Sequence, residues 1–339
     1  MNTAKIDLHL HLDGSLNIAW AYQKALEEGV IEKGTSFEEF YDILFSKNIR
    51  HSPVSFKKFE LVCDILQTYE NLFEATYDLA RRLDDMGILY AEIRFASQQH
   101  CKKGLSQYEA LKAVVDGANK AMEDFAIRIG IINCLMHKGE SASFNEKENL
   151  EAVEVSRQFL GRGLVGMDLA GYENNCPYSD YASLMAKVKG YGIPFTMHAG
   201  EMGIGAHILE ALAMEPDRIG HGINCIQDEH YIQALKDADI PLEVCVSSNV
   251  KLTQNYAAHP IRTMMEKGLR VTVNTDNMIF ARSDLINEHH QLKMIGVDDE
   301  TLIRSTYESL NAAFCDVETK ALLKSKLDEL FQNKKSRYL

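Results

Sequence analysis

Short apolar segments of strand length alternate with longer helical segments along the whole chain. The helical segments carry apolar residues at three- and four-residue spacing, as in Leu111, Val114, Val115 and Ala118. This alternation is typical of parallel β-α-β units in an α/β fold. The strand-length segments are eight in number and cover residues 6–13, 88–97, 127–135, 164–171, 193–200, 218–224, 242–247 and 271–276. Eight units predict a closed, TIM-type (β/α)8 barrel, with a doubly wound open sheet as the alternative because periodicity cannot show closure.

No linker or repeat divides the chain, since Pro/Gly/Ser-rich and low-complexity stretches are absent from the sequence. We therefore expect one domain over residues 1–339. Extra helices are expected in the interval of about seventy residues between the first two strand segments, and again after Glu300. Within the first interval, residues 52–60 place Val54, Phe56 and Phe59 among polar neighbours. This stretch fits either an apolar flap over a pocket or an extra helix on the barrel wall.

The charge balance limits the expected partners. The chain carries 49 acidic against 36 basic residues, for a net charge of -13. Nucleic acid and anionic membranes would be repelled, so neither is an expected partner. The N-terminus lacks a signal-peptide pattern and no stretch approaches the roughly 18 apolar residues that span a bilayer, so a cytoplasmic location is expected. The 7 cysteines include no C-x-x-C pair, which indicates buried thiols rather than disulfides or a zinc ribbon.

The first strand segment carries the earliest chemical signal. Its sequence IDLHLHLD alternates strictly, with Asp7, His9, His11 and Asp13 on one face and aliphatic residues on the other. A lone His-x-His pair is a weak signal. In a barrel, however, the aliphatic face packs on the surrounding helices, so the histidines face the interior, where an unpaired polar group is costly. A metal ion would satisfy both imidazoles.

Other strand segments also end in ionisable residues. His198 and Glu201 lie at the end of the fifth, His221 in the sixth and Asp276 at the end of the eighth. Because a barrel brings its carboxyl strand ends to one face, we expect these side chains to lie together. Taken singly, His198 or His221 could be a hydrogen-bonded core histidine, and Asp276 a helix cap.

Three imidazoles and one carboxylate at these ends suit Zn²⁺ and leave room for a water or substrate atom. The four residues of this predicted metal site are His9, His11, His198 and Asp276. No lysine ends the fourth segment, so a bridging carbamylated lysine for a second metal has no candidate, and one zinc ion per chain is expected. Glu201 and His221 remain as titratable neighbours of the metal site, suited to general acid–base catalysis.

Two charged residues lie inside the second strand segment. Glu92 and Arg94 alternate with Ala91, Ile93 and Phe95, so both are expected to face the barrel interior. We interpret them as a structural ion pair.

Taken together, these motifs resemble the adenosine/AMP deaminase family of the amidohydrolase superfamily, and most closely its bacterial adenosine deaminases. The matching motifs occur in family order over most of the chain: HLHLDGS at 9–15, MDLAG at 167–171, HAGE at 198–201, GHG at 220–222, SSN at 247–249 and NTD at 274–276. The resemblance implies zinc on the four residues of the predicted metal site. It also implies that Glu201 protonates ring nitrogen 1 of a purine and that His221 orients and deprotonates the attacking water.

The resemblance further implies a set of substrate-binding residues: His11, Asp13, Gly171 and Asn277. Gly171 would meet the base through its backbone N–H, and Asp13 would bind the ribose. Asp13 has a structural alternative as the cap of a helix starting near Ser15.

Three positions depart from the family pattern. Asn277 stands where a second aspartate is frequent, but its amide can still donate a hydrogen bond to ring nitrogen 7. Tyr172 replaces a frequent acidic residue, and residues 96–98 (ASQ) lack the usual proline after the second strand. Tyr172 and residues 96–98 are both expected near the active-site rim, where they would affect the detailed shape of the pocket.

The function that the resemblance implies is hydrolytic deamination of adenosine, and of 2′-deoxyadenosine, to inosine and ammonia in purine salvage. The alternative substrates are free adenine and a modified adenine nucleoside such as aminodeoxyfutalosine. Related adenine deaminases carry glutamate where this chain has Asp13, which favours the nucleoside. A further alternative is a barrel that binds purines or a protein partner without catalysis, but the complete set of catalytic residues argues against it.

Overall fold

Eight strands form one parallel sheet in a computed structural model that describes residues 3–45, 53–250 and 255–332. Their spatial order follows the sequence, and each strand pairs in parallel with the next. The strands are β1 (Ile6–His11), β2 (Tyr90–Phe95), β3 (Arg128–His137), β4 (Leu164–Gly171), β5 (Phe195–Ala199), β6 (Arg218–His221), β7 (Leu242–Val244) and β8 (Val271–Val273). The prediction of eight β-α units is confirmed.

The sheet closes on itself where β1 meets the residues that follow β8. The backbone N–H of His11 donates to the carbonyl of Asp276 at 3.0 Å, and the N–H of Asp276 donates to the carbonyl of His9 at 2.7 Å. A side chain extends the contact, because Asn274 Oδ1 accepts the N–H of Leu8 at 2.8 Å. We call these contacts between β1 and residues 274–276 the closing seam. They identify a barrel rather than the open sheet.

Fifteen α-helices occur in the described residues, and four of them lie between β1 and β2, as predicted for that long interval. The helices are α1 (Ile18–Glu27), α2 (Phe37–Phe45), α3 (Pro53–Ile65), α4 (Tyr69–Asp85), α5 (Gln107–Asp124), α6 (Glu146–Phe159), α7 (Ala182–Gly190), α8 (His207–Leu212), α9 (Glu229–Asp237), α10 (Val246–Val250), α11 (Ile261–Glu266), α12 (Met278–Ala281), α13 (Leu285–Met294), α14 (Asp299–Ala312) and α15 (Val317–Gln332). The last two cover the outer face of β1, where Ile6 and Leu8 are buried against Leu310, Leu323 and Leu327.

The turn after β1 decides between the two roles considered for Asp13. Helix α1 is capped by Asn17, whose side chain accepts the N–H groups of Ala19 at 3.0 Å and Trp20 at 3.2 Å. Asp13 instead begins a short 3-10 turn and accepts the N–H of the adjacent Gly14 at 3.0 Å. The helix-capping alternative for Asp13 is therefore wrong.

The segment interpreted as a flap or a wall helix forms the start of α3. Residue 52 and the side chains of residues 53–57 lie outside the described residues. Helix α3 packs against α1 and against the turns that follow β1 and β2, which are at the carboxyl end of the barrel. The ring of Phe59 lies 4.4 Å from that of Phe280 in α12. The segment is thus a helix beside the barrel mouth, and its opening over a pocket stays a prediction.

The sequence predicts that the cysteines are buried thiols. All seven cysteines are free thiols, and five of them are buried, whereas Cys101 and Cys315 are partly exposed. No helix in residues 3–45, 53–250 and 255–332 combines the length and the apolar character needed to cross a membrane.

Candidate active site

The four residues of the predicted metal site lie together inside the carboxyl end of the barrel. Asp276 Oδ1 is 3.4 Å from His11 Nε2 and 3.7 Å from His9 Nε2. The rings of His9 and His198 are 4.6 Å apart. Candidate ligand atoms lie within 4.8 Å of one another in two groups, one of His9, His11 and Asp276 and one of His9, His198 and His221. The structure thus brings the predicted ligands to one point, with His221 at the same point.

The two ring nitrogens of His9 have different surroundings. Nδ1 lies 2.7 Å from Glu243 Oε2, whereas Nε2 is buried and has no hydrogen-bond partner among the described residues. Burial lowers the pKa of His9 well below its usual value, so the ring is neutral. A neutral imidazole that donates from Nδ1 keeps a free lone pair on Nε2, and a metal ion would satisfy it. The donor set therefore fits a metal.

His198 repeats the arrangement on the other side of the barrel. Its Nδ1 lies 3.0 Å from Asp168 Oδ2, a fully buried carboxylate on β4. Metal-binding histidines characteristically use their second nitrogen to bond a carboxylate, which fixes the ring orientation. Glu243 and Asp168 thus orient two of the predicted ligands.

An interior charge network surrounds these carboxylates, formed by fully buried residues of β2, β4, β6 and β7: Glu92, Arg94, Asp168, Arg218 and Glu243. Arg94 donates to Asp168 Oδ2 at 2.8 Å and to Glu243 Oε2 at 2.9 Å. Arg218 donates to Glu92 at 2.5 Å and to Glu243 Oε1 at 2.6 Å. Burial raises the pKa of Glu243, but Arg94 and Arg218 outweigh it and hold the pKa at about 2.

This network corrects one sequence interpretation. Glu92 and Arg94 do face the interior, but they do not form the expected pair with each other. Arg94 bridges the two carboxylates that orient His9 and His198, and Glu92 binds Arg218. Because alternate residues of one strand project side by side, their charged ends find partners on other strands of the barrel.

Asp276 is held in an unusual backbone conformation. Its φ is +69°, and that of His221 is +64°, in the left-handed region that non-glycine residues occupy at a cost of about 1–3 kcal/mol, chiefly at functional sites. Ser248 Oγ donates to Asp276 Oδ2 at 2.5 Å. Burial raises the pKa of Asp276, but its surroundings, chiefly His11 and including the hydrogen bond from Ser248, outweigh burial and hold the pKa below its usual value, so the carboxylate is ionised. Asn277, not Asp276, precedes helix α12, so the capping alternative for Asp276 is wrong.

Glu201 and His221 are neighbours beside the metal site. His221 ends β6, Glu201 lies on the loop after β5, and His221 Nε2 is 3.7 Å from Glu201 Oε2. The other ring nitrogen of His221 lies 3.4 Å from the amide nitrogen of Asn249. A carboxyl and an imidazole that border the same predicted metal site can serve as a proton donor and a proton acceptor.

Asp13 and Gly171 lie at the same end of the barrel. Asp13 is 9% exposed, and its Oδ2 is 3.5 Å from the thiol of Cys63 in α3. Gly171 ends β4 with φ +129°, and a Cβ atom there would lie 2.5 Å from the carbonyl oxygen of His137. Only glycine fits this position, which the resemblance assigns to base binding.

Asn277 packs directly against the turn after β1. Its Nδ2 donates to Asp276 Oδ1 at 2.5 Å, and its Oδ1 is buried without a hydrogen-bond partner in the described part of the chain. A Cβ atom on Gly14 would approach that Oδ1 to 1.8 Å. The glycine of the HLDGS motif therefore makes room for Asn277.

Sequence reasoning assigned no role to three residues that contact the predicted ligands. Asp168 and Ser248 stood in the quoted motifs without a function, and Glu243 was not singled out. A signal existed for Glu243, because a carboxylate within the apolar run PLEVCV of a buried parallel strand needs a partner. Its partner, His9, is 234 positions away along the chain, beyond the reach of any local pattern.

A parallel barrel that gathers histidines and an aspartate at its carboxyl end, with carboxylates behind the histidines, defines a metal-dependent hydrolase of the amidohydrolase type. The sequence comparisons specify the family. The model of the adenosine deaminase family matches residues 4–330, and this chain belongs to that family of hydrolytic deaminases. The adenosine deaminase of Clostridium perfringens (strain SM101 / Type A) is 32% identical over 330 residues, which cover 96% of this chain and 98% of that protein.

Solved structures agree with the fold. The adenine deaminase of Arthrobacter aurescens superposes with a TM-score of 0.86 at 25% identity, covering 97% of this chain and 99% of that one. An amidohydrolase of Burkholderia ambifaria, solved with bound Zn, has a TM-score of 0.85 at 20% identity and covers 97% of this chain and 91% of its own. The family resemblance and the barrel fold expected from the sequence are confirmed.

Proposed function

We propose that this protein is a zinc-dependent hydrolase that converts adenosine, and also 2′-deoxyadenosine, to inosine and ammonia. The observation that carries the proposal is the buried, unpartnered Nε2 of His9, which faces Asp276 in a chain of the adenosine deaminase family. Adenosine deaminases with near-full coverage of this chain support the nucleoside as substrate. The net charge of -13 favours a small neutral molecule over a polyanion.

Four side chains would hold one zinc ion per chain: His9, His11, His198 and Asp276. Imidazole nitrogens and a carboxylate oxygen are donors that zinc prefers. Asp168 lies near the end of the fourth strand, hydrogen-bonded to His198, and no lysine is there to bridge a second ion. When bound, zinc acts as a Lewis acid and lowers the pKa of water toward about 7.

Glu201 and His221 would handle the protons of the reaction. His221 would orient the attacking water and accept its proton, while Glu201 would donate a proton to ring nitrogen 1 of the purine. Their separation of 3.7 Å lets both border one reacting carbon, carbon 6. Addition of water there makes the carbon tetrahedral, and ammonia then leaves. Glu201 must enter this step protonated.

The substrate would be recognised along its length by residues at the barrel mouth: His11, Asp13, Gly171 and Asn277. Gly171 would meet the base through its backbone N–H, and Asp13 would accept hydrogen bonds from ribose hydroxyls. The amide nitrogen of Asn277 carries two hydrogens, so one can bond Asp276 while the other reaches ring nitrogen 7. Each of these contacts would bind a different part of a purine nucleoside.

The Asp13 carboxylate is expected to separate adenosine from adenine. A ligand without hydroxyls leaves this nearly buried carboxylate with only the Gly14 N–H and the Cys63 thiol as donors, so kcat/KM for adenosine should exceed that for adenine by at least about 10². Asp13→Asn, which has the same size but no charge, should shrink the ratio, mostly by slowing adenosine. Steady-state kinetics on both compounds checks the ratio. Equal efficiency of the unaltered protein on the two would contradict the nucleoside assignment.

The Asn277 amide is expected to donate a hydrogen bond to ring nitrogen 7. Asn277→Leu removes the donor at similar size, so turnover of adenosine should fall by about tenfold, the value of one lost hydrogen bond in a buried site. Turnover of 7-deazaadenosine, which lacks the acceptor, should change little. Kinetics of Asn277→Leu and of the unaltered protein on both substrates gives the comparison, and equal losses would remove Asn277 from base recognition.

The experiment that tests the proposed function is an ammonia-release assay over a panel of 6-aminopurines. The panel holds adenosine, 2′-deoxyadenosine, adenine and aminodeoxyfutalosine, and adenosine is expected to have the highest kcat/KM. The similarity to an adenine deaminase structure, at 25% identity, makes free adenine the second candidate. Highest efficiency on adenine would support that candidate instead, and no ammonia from any member would favour a binding protein without catalysis.

We further infer that residues 1–339 act as a single metal-dependent hydrolase domain in the cytoplasm, with a small-molecule purine nucleoside as partner and neither nucleic acid nor a membrane. The one continuous eight-stranded sheet supports a single domain. Seven free thiols fit a reducing compartment.

A further inference from the structure

Cys63, on helix α3, contacts the carboxylate of Asp13. Cys63 is 4% exposed, and its Sγ lies 3.5 Å from Asp13 Oδ2. Burial raises the pKa of the Cys63 thiol well above its usual value, so the sulfur keeps its hydrogen and can donate it. Helix α3 thus supplies a neutral hydrogen-bond donor to the residue that is expected to bind the ribose.

Both oxygens of Asp13 have a donor as a result. The backbone N–H of Gly14 donates to Oδ1 at 3.0 Å, and the Cys63 thiol donates to Oδ2. Among the side chains that the structure describes, that of Cys63 is the only one that hydrogen-bonds to Asp13. A carboxylate that is bonded at both oxygens does not rotate freely about its Cβ–Cγ bond, and each oxygen keeps a second lone pair for a ligand.

The position of Cys63 is itself fixed by a buried amide. Gln67 lies two residues beyond the end of α3 and is 2% exposed. Its amide nitrogen donates to the carbonyl of Cys63 at 2.7 Å and to that of Gln99, in the turn after β2, at 2.8 Å. Its amide oxygen accepts the N–H of Lys102 at 2.8 Å. These bonds join the backbone of Cys63 to the carboxyl end of the barrel.

A second acceptor lies near the same thiol. Gln99 Oε1 is 3.2 Å from Cys63 Sγ, but the thiol has a single hydrogen to donate. The carboxylate of Asp13 is the stronger acceptor, because hydrogen bonds to a charged partner are about twice as strong as neutral ones. The thiol hydrogen is therefore assigned to Asp13.

We propose that Cys63 is a positioning residue for substrate selection: its thiol holds the Asp13 carboxylate in the orientation that accepts the ribose hydroxyls, and so favours a nucleoside over a free base. This inference rests on the proposed function, in which Asp13 binds the sugar. When the carboxylate is already oriented, less binding free energy is lost in ordering it, so KM for the nucleoside is lower. Free adenine has no hydroxyls and gains nothing from the contact.

Cys63→Ala and Cys63→Ser differ by one hydroxyl group, so together they separate the donor from the space that the thiol fills. The alanine variant should raise KM for adenosine by about fivefold, the effect of one hydrogen bond, with kcat changed less than about twofold. Its kcat/KM for adenine should also change less than about twofold. Serine keeps a donor and should restore most of the preference for adenosine. Equal losses on adenosine and adenine, or a serine variant that behaves like alanine, would overturn the proposal.

Cys225→Ala is the matched control for the loss of a buried thiol. Cys225 is fully buried in the turn after β6, and its side chain makes no hydrogen bond to a predicted site residue within the described part of the chain. This variant should keep KM and the ratio of the two efficiencies, and thermal unfolding of every variant identifies any loss of fold.

A double-mutant cycle tests whether Cys63 acts through Asp13. In an Asp13→Ala background, Cys63→Ala should change kcat/KM for adenosine by less than about twofold, because two residues that act through one contact are not additive. A further loss of about fivefold in that background would mean that the thiol acts elsewhere, and would overturn the proposal.

The contact can also be measured without turnover, in zinc-loaded protein. The S–H stretching band of Cys63 is the band that disappears from the infrared spectrum of Cys63→Ala. We expect this band to shift in Asp13→Ala, because the thiol loses its carboxylate acceptor, and an unchanged band would refute the inference. If no 6-aminopurine is deaminated, the proposed function fails, while the infrared band still decides whether Cys63 holds Asp13. If adenosine is deaminated and Cys63→Ala leaves its preference over adenine unchanged, only the inference about Cys63 fails.

Discussion

His198→Ala protein is expected to purify without zinc and without measurable deaminase activity. The substitution removes one of three imidazoles and leaves Asp168, fully buried, without the ring that it orients. Loss of a ligand from a four-donor zinc site eliminates the strong binding that the full set provides. The unaltered protein should hold about one zinc per folded chain. Elemental analysis after exhaustive dialysis measures the zinc content, and the ammonia-release assay measures the deaminase activity.

His100→Ala is a suitable control for the loss of a buried histidine. His100 is also fully buried, but it binds the carbonyl of Leu66 at 2.9 Å, outside the predicted metal site. It should keep zinc, even if its thermal unfolding temperature falls. Zinc retained by His198→Ala would refute the ligand assignment. Two tightly bound ions in the unaltered protein would refute the mononuclear site.

Glu201→Gln is expected to lower kcat by about 10² to 10⁴, the usual contribution of a general acid, while zinc stays bound. Glutamine keeps the shape of the side chain, but its amide does not supply the proton that ring nitrogen 1 needs. KM should change little, since the residue acts on the reacting atom rather than on the sugar. A double measurement of kcat and zinc content distinguishes a lost proton donor from a lost metal.

Substitution of His221, the expected base, should differ in its effects from substitution of Glu201, the expected acid. His221 would orient and deprotonate water, so the His221→Ala variant should also have a low kcat. Imidazole added to the assay should restore part of that rate. Imidazole should not rescue Glu201→Gln, which lacks an acid rather than a base. If Glu201→Gln retained most of the activity of the unaltered protein, the assignment of the acid would be wrong.

Strand positions could be predicted from apolar segments, but their ends could not. The fourth segment, 164–171, coincides with β4, whereas the seventh was expected to reach 247 and β7 stops at Val244. Helix α10 begins at Val246, and its residues Val246 and Val250 are buried, as are those of the strand. An apolar run that continues from a strand into a buried helix has no change of polarity to mark the boundary.

The predicted metal ligands came from two general rules: alternation along β1 and the meeting of carboxyl strand ends. The partners behind them did not, because pairing across a barrel depends on stagger and side-chain length. Arg94 reaches both Asp168 and Glu243, which lie on strands that are not its neighbours. The same geometry explains why Glu92 binds Arg218 rather than Arg94.

The closing seam has a consequence for how the protein is made. Its hydrogen bonds join Asp276 to His9 and His11, so the first strand and the residues after the last strand contribute adjacent predicted ligands. During synthesis, His9 and His11 leave the ribosome long before Asp276 exists, and β1 must wait with one edge unpaired. A nascent chain can therefore offer a metal ion only a partial and weak set of donors. Tight loading of the predicted metal site should begin only after translation has passed the eighth strand.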